Sequence, residues 1–159
     1  MGFESYGLEP AESYVQYARE KGLRVFAGSF PERIPEELLQ KRFRIVSMIE
    51  MMYYLCDLKK SLLKVRDMLE ANGLFLVQCH QGHSRCYSLN LSYFRRYGDH
   101  VQGIPTLHSL MHCLTKTGFK PVKLFGFNID ENNNISIPKS YEETAVADRL
   151  LVLAEKTVL

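Results

Sequence analysis

No stretch of the 159 residues is long and apolar enough to span a bilayer, since a membrane helix needs roughly 20 apolar residues in a row. The start, Met1-Gly2-Phe3-Glu4-Ser5, lacks the basic-then-apolar order of a signal peptide. The four cysteines, Cys56, Cys79, Cys86 and Cys113, are too sparse for a disulfide framework, and no C-x-x-C pair occurs. Charge of one sign is not in excess: 20 basic and 18 acidic residues leave a net charge of +2. A nucleic-acid binder needs a clustered basic face, and none is written here. Repeats, low-complexity tracts and linkers are missing too. These absences point to a cytoplasmic protein with neither a membrane nor a nucleic acid as partner.

What is present fits one globular domain over residues 1–159. Hydrophobic residues make up 46% and charged residues 24%, enough for a core of its own. The chain alternates strand and helix signals. Tyr6-Gly7-Leu8 is a short apolar run, and Glu9-Pro10 opens a helix over residues 11–21 with Tyr14, Val15 and Ala18 on one face. Gly22 stops it. Leu23 to Ala27 alternates like a strand, and Gly28-Ser29-Phe30-Pro31 breaks that strand. Residues 32–41 read as a short amphipathic helix. Phe43 to Ile49 reads as a strand buried on both faces. Asp57 caps a helix over 58–71, with Leu58, Leu62, Val65 and Leu69 as its stripe, closed by Asn72-Gly73. Leu74 to Val77 is the strongest buried strand. Thr106 opens a helix that Gly118 ends. Pro121 to Phe127 is a strand, Glu131 to Asn134 a turn, and Arg149 to Ala154 the last strand. No crossover helix separates the final two strands, so the last one should run antiparallel in a mostly parallel α/β sheet.

Two groups of residues carry chemistry. Glu9 ends an early strand, where an acid in nucleotide-binding α/β folds accepts hydrogen bonds from ribose hydroxyls. The same carboxylate also suits a helix start, through the macrodipole. The second group is Cys79-His80-Gln81-Gly82-His83-Ser84-Arg85-Cys86, directly after a strand, at the end of the sheet where active-site loops gather. His80 or His83 there is a general-base candidate, its pKa lying near neutrality. A solvent-exposed polar loop is the competing reading. Zinc ligation with His108 and His112 is a third, against which the adjacency of Cys79 and His80 counts. Tyr53, Tyr54, Tyr87, Tyr93, Phe94 and Tyr97 supply aromatics for stacking or core, and Arg95-Arg96 is a solvated pair or an anion contact.

The order Tyr6-Gly7-Leu8-Glu9-Pro10, Gly28-Ser29-Phe30, Phe43-Arg44-Ile45-Val46, Asp57 and Leu69-Glu70-Ala71-Asn72-Gly73-Leu74-Phe75-Leu76-Val77 resembles the class I S-adenosylmethionine-dependent methyltransferases. Within them it is similar to the small-molecule branch that holds the type 11/12 and ubiquinone-pathway enzymes. The resemblance covers residues 5–80 and runs on through Gly118-Phe119 and the closing strand. It implies a Rossmann-like class I sheet and S-adenosylmethionine as cofactor. It also implies roles: Glu9 for the ribose, Gly28, Ser29 and Phe30 for the adenine, and Met48, Ile49, Glu50 and Met51 for the methionine end. Three departures accompany it. No strand precedes Ser5 and no Gly-x-Gly loop occurs, so the sheet is read as N-terminally truncated. Arg44 stands where an acid is often found. Tyr53-Tyr54 stands where the branch often has Glu-His.

The implied function is methyl transfer to a small-molecule acceptor, with His80 or His83 removing a proton. The alternative is a non-catalytic methyltransferase-like binding or assembly module, or a fragment, that has lost its cofactor. In the family the missing strand lies between the second and fourth. Those two strands must pair directly, or another chain must fill the gap, or the chain is a truncated product. A homodimer is the expected cover for the exposed edges.

Overall fold

The computed structural model describes residues 2–84, 101–130 and 132–157. They fall into two compact units, Met1–Arg42 and Phe43–Leu159. In the first unit, β1 (Gly7–Glu9) and β2 (Val25–Ala27) pair in parallel, and α1 (Glu12–Glu20) connects them. Val15 is the buried residue of α1, while Tyr14, expected on the same inward face, is 68% exposed. Neighbours on a helix point about 100° apart, and the narrow β1–β2 ribbon covers only Val15's side. Gly22 ends the helix in the left-handed region at φ 78°, as its sequence position suggested.

The helix expected over 32–41 shrinks to α2 (Glu36–Leu39). Residues before it are held as a turn in which the backbones of Ser29 and Arg33 exchange hydrogen bonds. Pro35 then caps the short helix, because a proline cannot sit inside one without breaking its ladder.

The second unit holds a five-stranded sheet in the order β3-β4-β7-β5-β6. Its strands are β3 (Phe43–Ile49), β4 (Leu69–His80), β5 (Phe119–Ile129), β6 (Ile135–Ser136) and β7 (Arg149–Lys156), and its helices are α3 (Leu58–Met68), α4 (Leu107–Lys116) and α5 (Tyr141–Thr144). β3 and β4 are parallel, and β7 is antiparallel to both its neighbours, as expected for a strand reached without a crossover. The short β6, which the sequence did not announce, adds a second antiparallel strand. It returns from β5 through a turn in which Asn133 takes φ 62° and Asp130 Oδ1 accepts from the N–H groups of Asn132 and Asn134.

The core follows from register. Phe75, Val77 and Cys79 of β4 lie opposite Ala154, Val152 and Leu150 of β7, and all six are fully buried. Period-2 alternation puts these residues on one face of the sheet. Leu62 and Val65 of α3 and Leu110 and Leu114 of α4 are fully buried as well, and Phe75 meets Phe119 with ring centroids 5.4 Å apart. Asp57 caps α3 by accepting from Lys60 N, and Thr106 and Ser109 form a reciprocal capping box on α4.

Two further expectations are corrected. The helix read over 58–71 ends at Met68, and Leu69 already belongs to β4, opposite Phe43. Leu69 is 1% exposed, so burial as a strand residue wins over continuing the helical stripe. Two steps along β3, from Phe43 to Ile45, are matched by five along β4, from Leu69 to Leu74. The excess chain is absorbed as a bulge at Asn72, φ 59°, and Gly73. β3 is also not buried on both faces. It is the end strand of its sheet, with Ile45 and Ile49 about half exposed and only Met48 buried.

Candidate active site

Parallel strands gather their carboxyl ends on one side of a sheet, and the loops leaving those ends build binding sites. In the second unit that side collects Glu50, directly after β3, and Gln78 and His80, at the end of β4. Because β7 runs the other way, its first residue, Arg149, arrives at the same end and lies opposite His80 in the ladder.

Glu50 is the hub. Its backbone takes φ 53°, in the left-handed region that costs a non-glycine residue about 1–3 kcal/mol. Its own contacts hold it there. Glu50 N donates to Gln78 O at 2.9 Å. Oε1 accepts from Arg149 Nε at 2.9 Å and from the Gln78 side-chain amide. Oε2 accepts from the Tyr53 hydroxyl at 2.8 Å and stands 3.1 Å from His80 Nε2. A carboxylate has about four lone-pair positions, and here four protein groups surround them. What Glu50 presents outward is therefore the shape of its turn rather than free carboxylate oxygens. Ile49, half exposed, and Met51, partly buried, flank it.

His80 is 4% exposed, and its ring centroid lies 5.8 Å from that of Tyr53. Burial pushes its pKa below the usual 6.5 by penalising the imidazolium, and the Arg149 cation pushes the same way. The carboxylates of Glu50 and Asp148 pull against this without reversing it. A neutral imidazole at pH 7 is the form a general base needs. Its neighbour Cys79 is a different case: burial raises the thiol to about 12, with Glu50 adding to the effect, so it is an inert core residue.

His83 is itself exposed, but the turn that carries it after β4 is not a solvated loop, since Gln81 and Ser84 are fully buried. That turn is pinned by Gly82 N donating to Pro105 O at 3.0 Å, and a Cβ on Gly82 would stand 2.9 Å from Ile104 O. His108 and His112 are both exposed on α4. Arg85, Cys86, Tyr87, Tyr93, Phe94, Arg95, Arg96 and Tyr97 lie outside the described residues.

The first unit brings Glu9, Gly28, Ser29 and Phe30 together at the carboxyl ends of β1 and β2. Gly28 N donates to Glu9 O at 3.0 Å. Glu9 Oε1 accepts from Ala11 N at 2.9 Å. Among the described residues Glu9 Oε2 has no hydrogen-bond partner. Gly28 is required by the protein itself, since a Cβ there would lie 2.2 Å from Arg33 O.

Arg149, Gln78 and Tyr53 were not singled out as site residues in the sequence. A charged residue heading the apolar run Leu150 to Ala154 was the signal for Arg149. Tyr53 stood at a position already marked as departing from the resemblance.

A profile described as a methyltransferase domain matches residues 2–124. The chain belongs to this methyltransferase family. A Thermotoga maritima SAM-dependent methyltransferase, described as a possible histamine N-methyltransferase, matches at TM-score 0.75 and 18% identity, over 96% of this chain and 72% of that one. A SAM-dependent methyltransferase of Archaeoglobus fulgidus matches at TM-score 0.72 and 17% identity, over 96% and 76%. One from Mesorhizobium loti matches at 0.70 and 16%, over 95% and 79%. No protein of curated function matches the chain in sequence. The fold is thus the Rossmann-like sheet of the class I methyltransferases.

Proposed function

We propose that the chain transfers a methyl group from S-adenosylmethionine to a small-molecule acceptor, with its residues 1–159 acting as one methyltransferase domain. The observation that carries this reading is His80, buried and kept neutral at the carboxyl end of β4, beside a carboxylate that the strand ends hold in place. Such an imidazole is poised to take the proton that leaves an attacking hydroxyl or amine. His83 is the lesser candidate, because it is exposed and no hydrogen bond to its side chain occurs among the described residues.

One residue present is chemically suited to the cofactor: Glu9 would accept a hydrogen bond from a ribose hydroxyl through the oxygen that Ala11 N does not use. Gly28, Ser29 and Phe30 would border the adenine, and Ile49, Glu50 and Met51 would shape the methionine end through the turn after β3. When bound, the cofactor supplies an electrophilic methyl on a sulfonium. The protein's part is then to align the acceptor, exclude water and remove one proton. Assays with methyl-labelled cofactor against small amines and phenols test this. His80→Gln should lower the rate by roughly 10²–10⁴-fold on acceptors that must lose a proton. Equal rates in the variant would remove His80 from the reaction.

A second reading, the non-catalytic binding or assembly module, is favoured by one feature. No Gly-x-Gly stands anywhere in the sequence to bring backbone close to the cofactor. Absence of transfer to every acceptor, together with absence of cofactor binding, would establish it.

A further inference from the structure

We propose that Arg149 is a positioning residue for His80: through its Nε bond to one oxygen of Glu50 it fixes the carboxylate whose other oxygen stands beside the imidazole. The inference rests on the reading of His80 as the base and adds a residue that touches neither cofactor nor acceptor in that reading.

The geometry is a relay across three strands. Arg149 Nε lies 2.9 Å from Glu50 Oε1, and His80 Nε2 lies 3.1 Å from Glu50 Oε2. The arginine side chain is 16% exposed, the glutamate 30% and the histidine 5%. Arg149 and His80 are also direct partners in the β4–β7 ladder, so the antiparallel return of β7 delivers the cation where it is needed. Without that cation, Glu50 would carry an uncompensated charge against a buried imidazole, and the imidazole would take up a proton to answer it. A protonated His80 is no base. With the cation in place, Glu50 stands beside the ring without protonating it. Among the described residues, the charged and titratable groups facing His80 are Glu50 after β3, Tyr53 in the 3-10 turn Met52–Tyr54, Asp148 just before β7 and Arg149 at its start; Cys79, its neighbour on β4, points to the opposite face.

The test is an NMR titration of the His80 ring in the full chain, its signal assigned among the five histidines by comparison with His80→Gln. Arg149→Met should move the His80 titration upward by about one pH unit or more. Glu50→Gln should move it downward. Arg149→Lys, which keeps a cation on β7, should restore most of the wild-type position. A purely structural role predicts something else: both truncating variants would loosen the site and drift upward together toward the usual 6.5. That result, or an unmoved titration in Arg149→Met, overturns the proposal. Should Arg149→Met be too unstable to titrate, the double variant Glu50→Gln/Arg149→Met is compared with Glu50→Gln alone. The double variant must titrate higher, and equality overturns the proposal. None of these readouts needs an acceptor. If the titrations behave as expected while His80→Gln transfers methyl at the wild-type rate, the positioning stands and the base reading falls.

Discussion

The side-chain carbonyl of Gln81 accepts a hydrogen bond from the backbone N–H of Leu107, the first residue of α4, at 2.9 Å. The amide end of the same side chain donates to Ala147 O at 3.0 Å and Thr144 O at 3.3 Å. Gln81 is fully buried. One side chain therefore joins the end of β4 to the start of α4 and to the segment that leads into Arg149. Gln81→Leu keeps much of the volume and removes the partner of two buried groups, Leu107 N and Ala147 O, while Thr144 O keeps its bond from Ala147 N. It should destabilise the protein by about 2–4 kcal/mol, at about 1–3 kcal/mol for each group left unsatisfied and with partial relaxation. Urea unfolding checks this, and a loss below 1 kcal/mol would show that the loop rearranges around the change.

His80 links stability to pH. Its folded value lies below the usual 6.5, so between the two values the unfolded chain binds more protons than the folded one. The stability this site contributes is full above 6.5 and is lost as pH falls from there through the lower folded value. The slope approaches about 1.4 kcal/mol per pH unit for one proton. Wild type and His80→Gln, unfolded in urea between about pH 7.5 and 5.5, should differ in slope, with wild type the steeper. Parallel slopes would show that His80 is not held neutral by its surroundings.

The strong periodic segments were legible in sequence because local pattern and tertiary burial agree there. Asp57 caps α3, Thr106 caps α4, Gly22 and Gly118 end helices at positive φ, and β7 runs antiparallel as the missing crossover required. The hub around Glu50 was only half legible. Glu50 and His80 were singled out for separate roles, yet their contact depends on strand register. Arg149 is 99 residues from Glu50 in sequence, and only the β4–β7 pairing brings the two together. The end of α3 misled for a related reason: helical spacing continued through Leu69, while the site opposite Phe43 was there to bury it as a strand.

Asn72 holds the bulge that resolves this conflict, at φ 59°. Glycine adopts that conformation freely, and asparagine tolerates it better than other residues. Asn72→Ala should therefore destabilise by about 1 kcal/mol, whereas Asn72→Gly should be close to neutral. Thermal unfolding of the pair checks the ordering. Equal losses in both would place the effect in the asparagine side chain instead of its backbone.

Glu9 gives the most direct test of cofactor binding. The isolated chain is expected to bind S-adenosylmethionine weakly, because no glycine loop in the sequence brings backbone N–H groups to it. Calorimetry on the purified chain measures this, and sub-micromolar affinity would show that the remaining residues suffice. Whatever binding exists should weaken in Glu9→Gln, since the amide offers one acceptor oxygen where the carboxylate offers two. An unchanged affinity would return Glu9 to the helix-start role shown by its bond to Ala11 N.

The last prediction concerns assembly. β3 has β4 as its only strand partner among the described residues, and β1 has only β2. From Ile45 to Ile49, a strand with a strand neighbour on one side only among the described residues is a template for another strand. Natural proteins guard such edges with prolines, lysines or bulges that turn the strand away. Phe43 to Ile49 carries no proline or lysine, and its single charge is Arg44. Ile45 and Ile49, both on the same face by the period-2 rule, are 52% and 49% exposed. A second copy is the simplest chain to cover that edge, because a two-fold axis lets one strand serve both protomers. We therefore expect a homodimer at micromolar concentration by light scattering. Ile45→Lys should shift it toward monomer, by placing a guard charge on the edge without disturbing a buried residue. If wild type scatters as a monomer at every concentration, the edge is covered in some other way and this account of it is wrong.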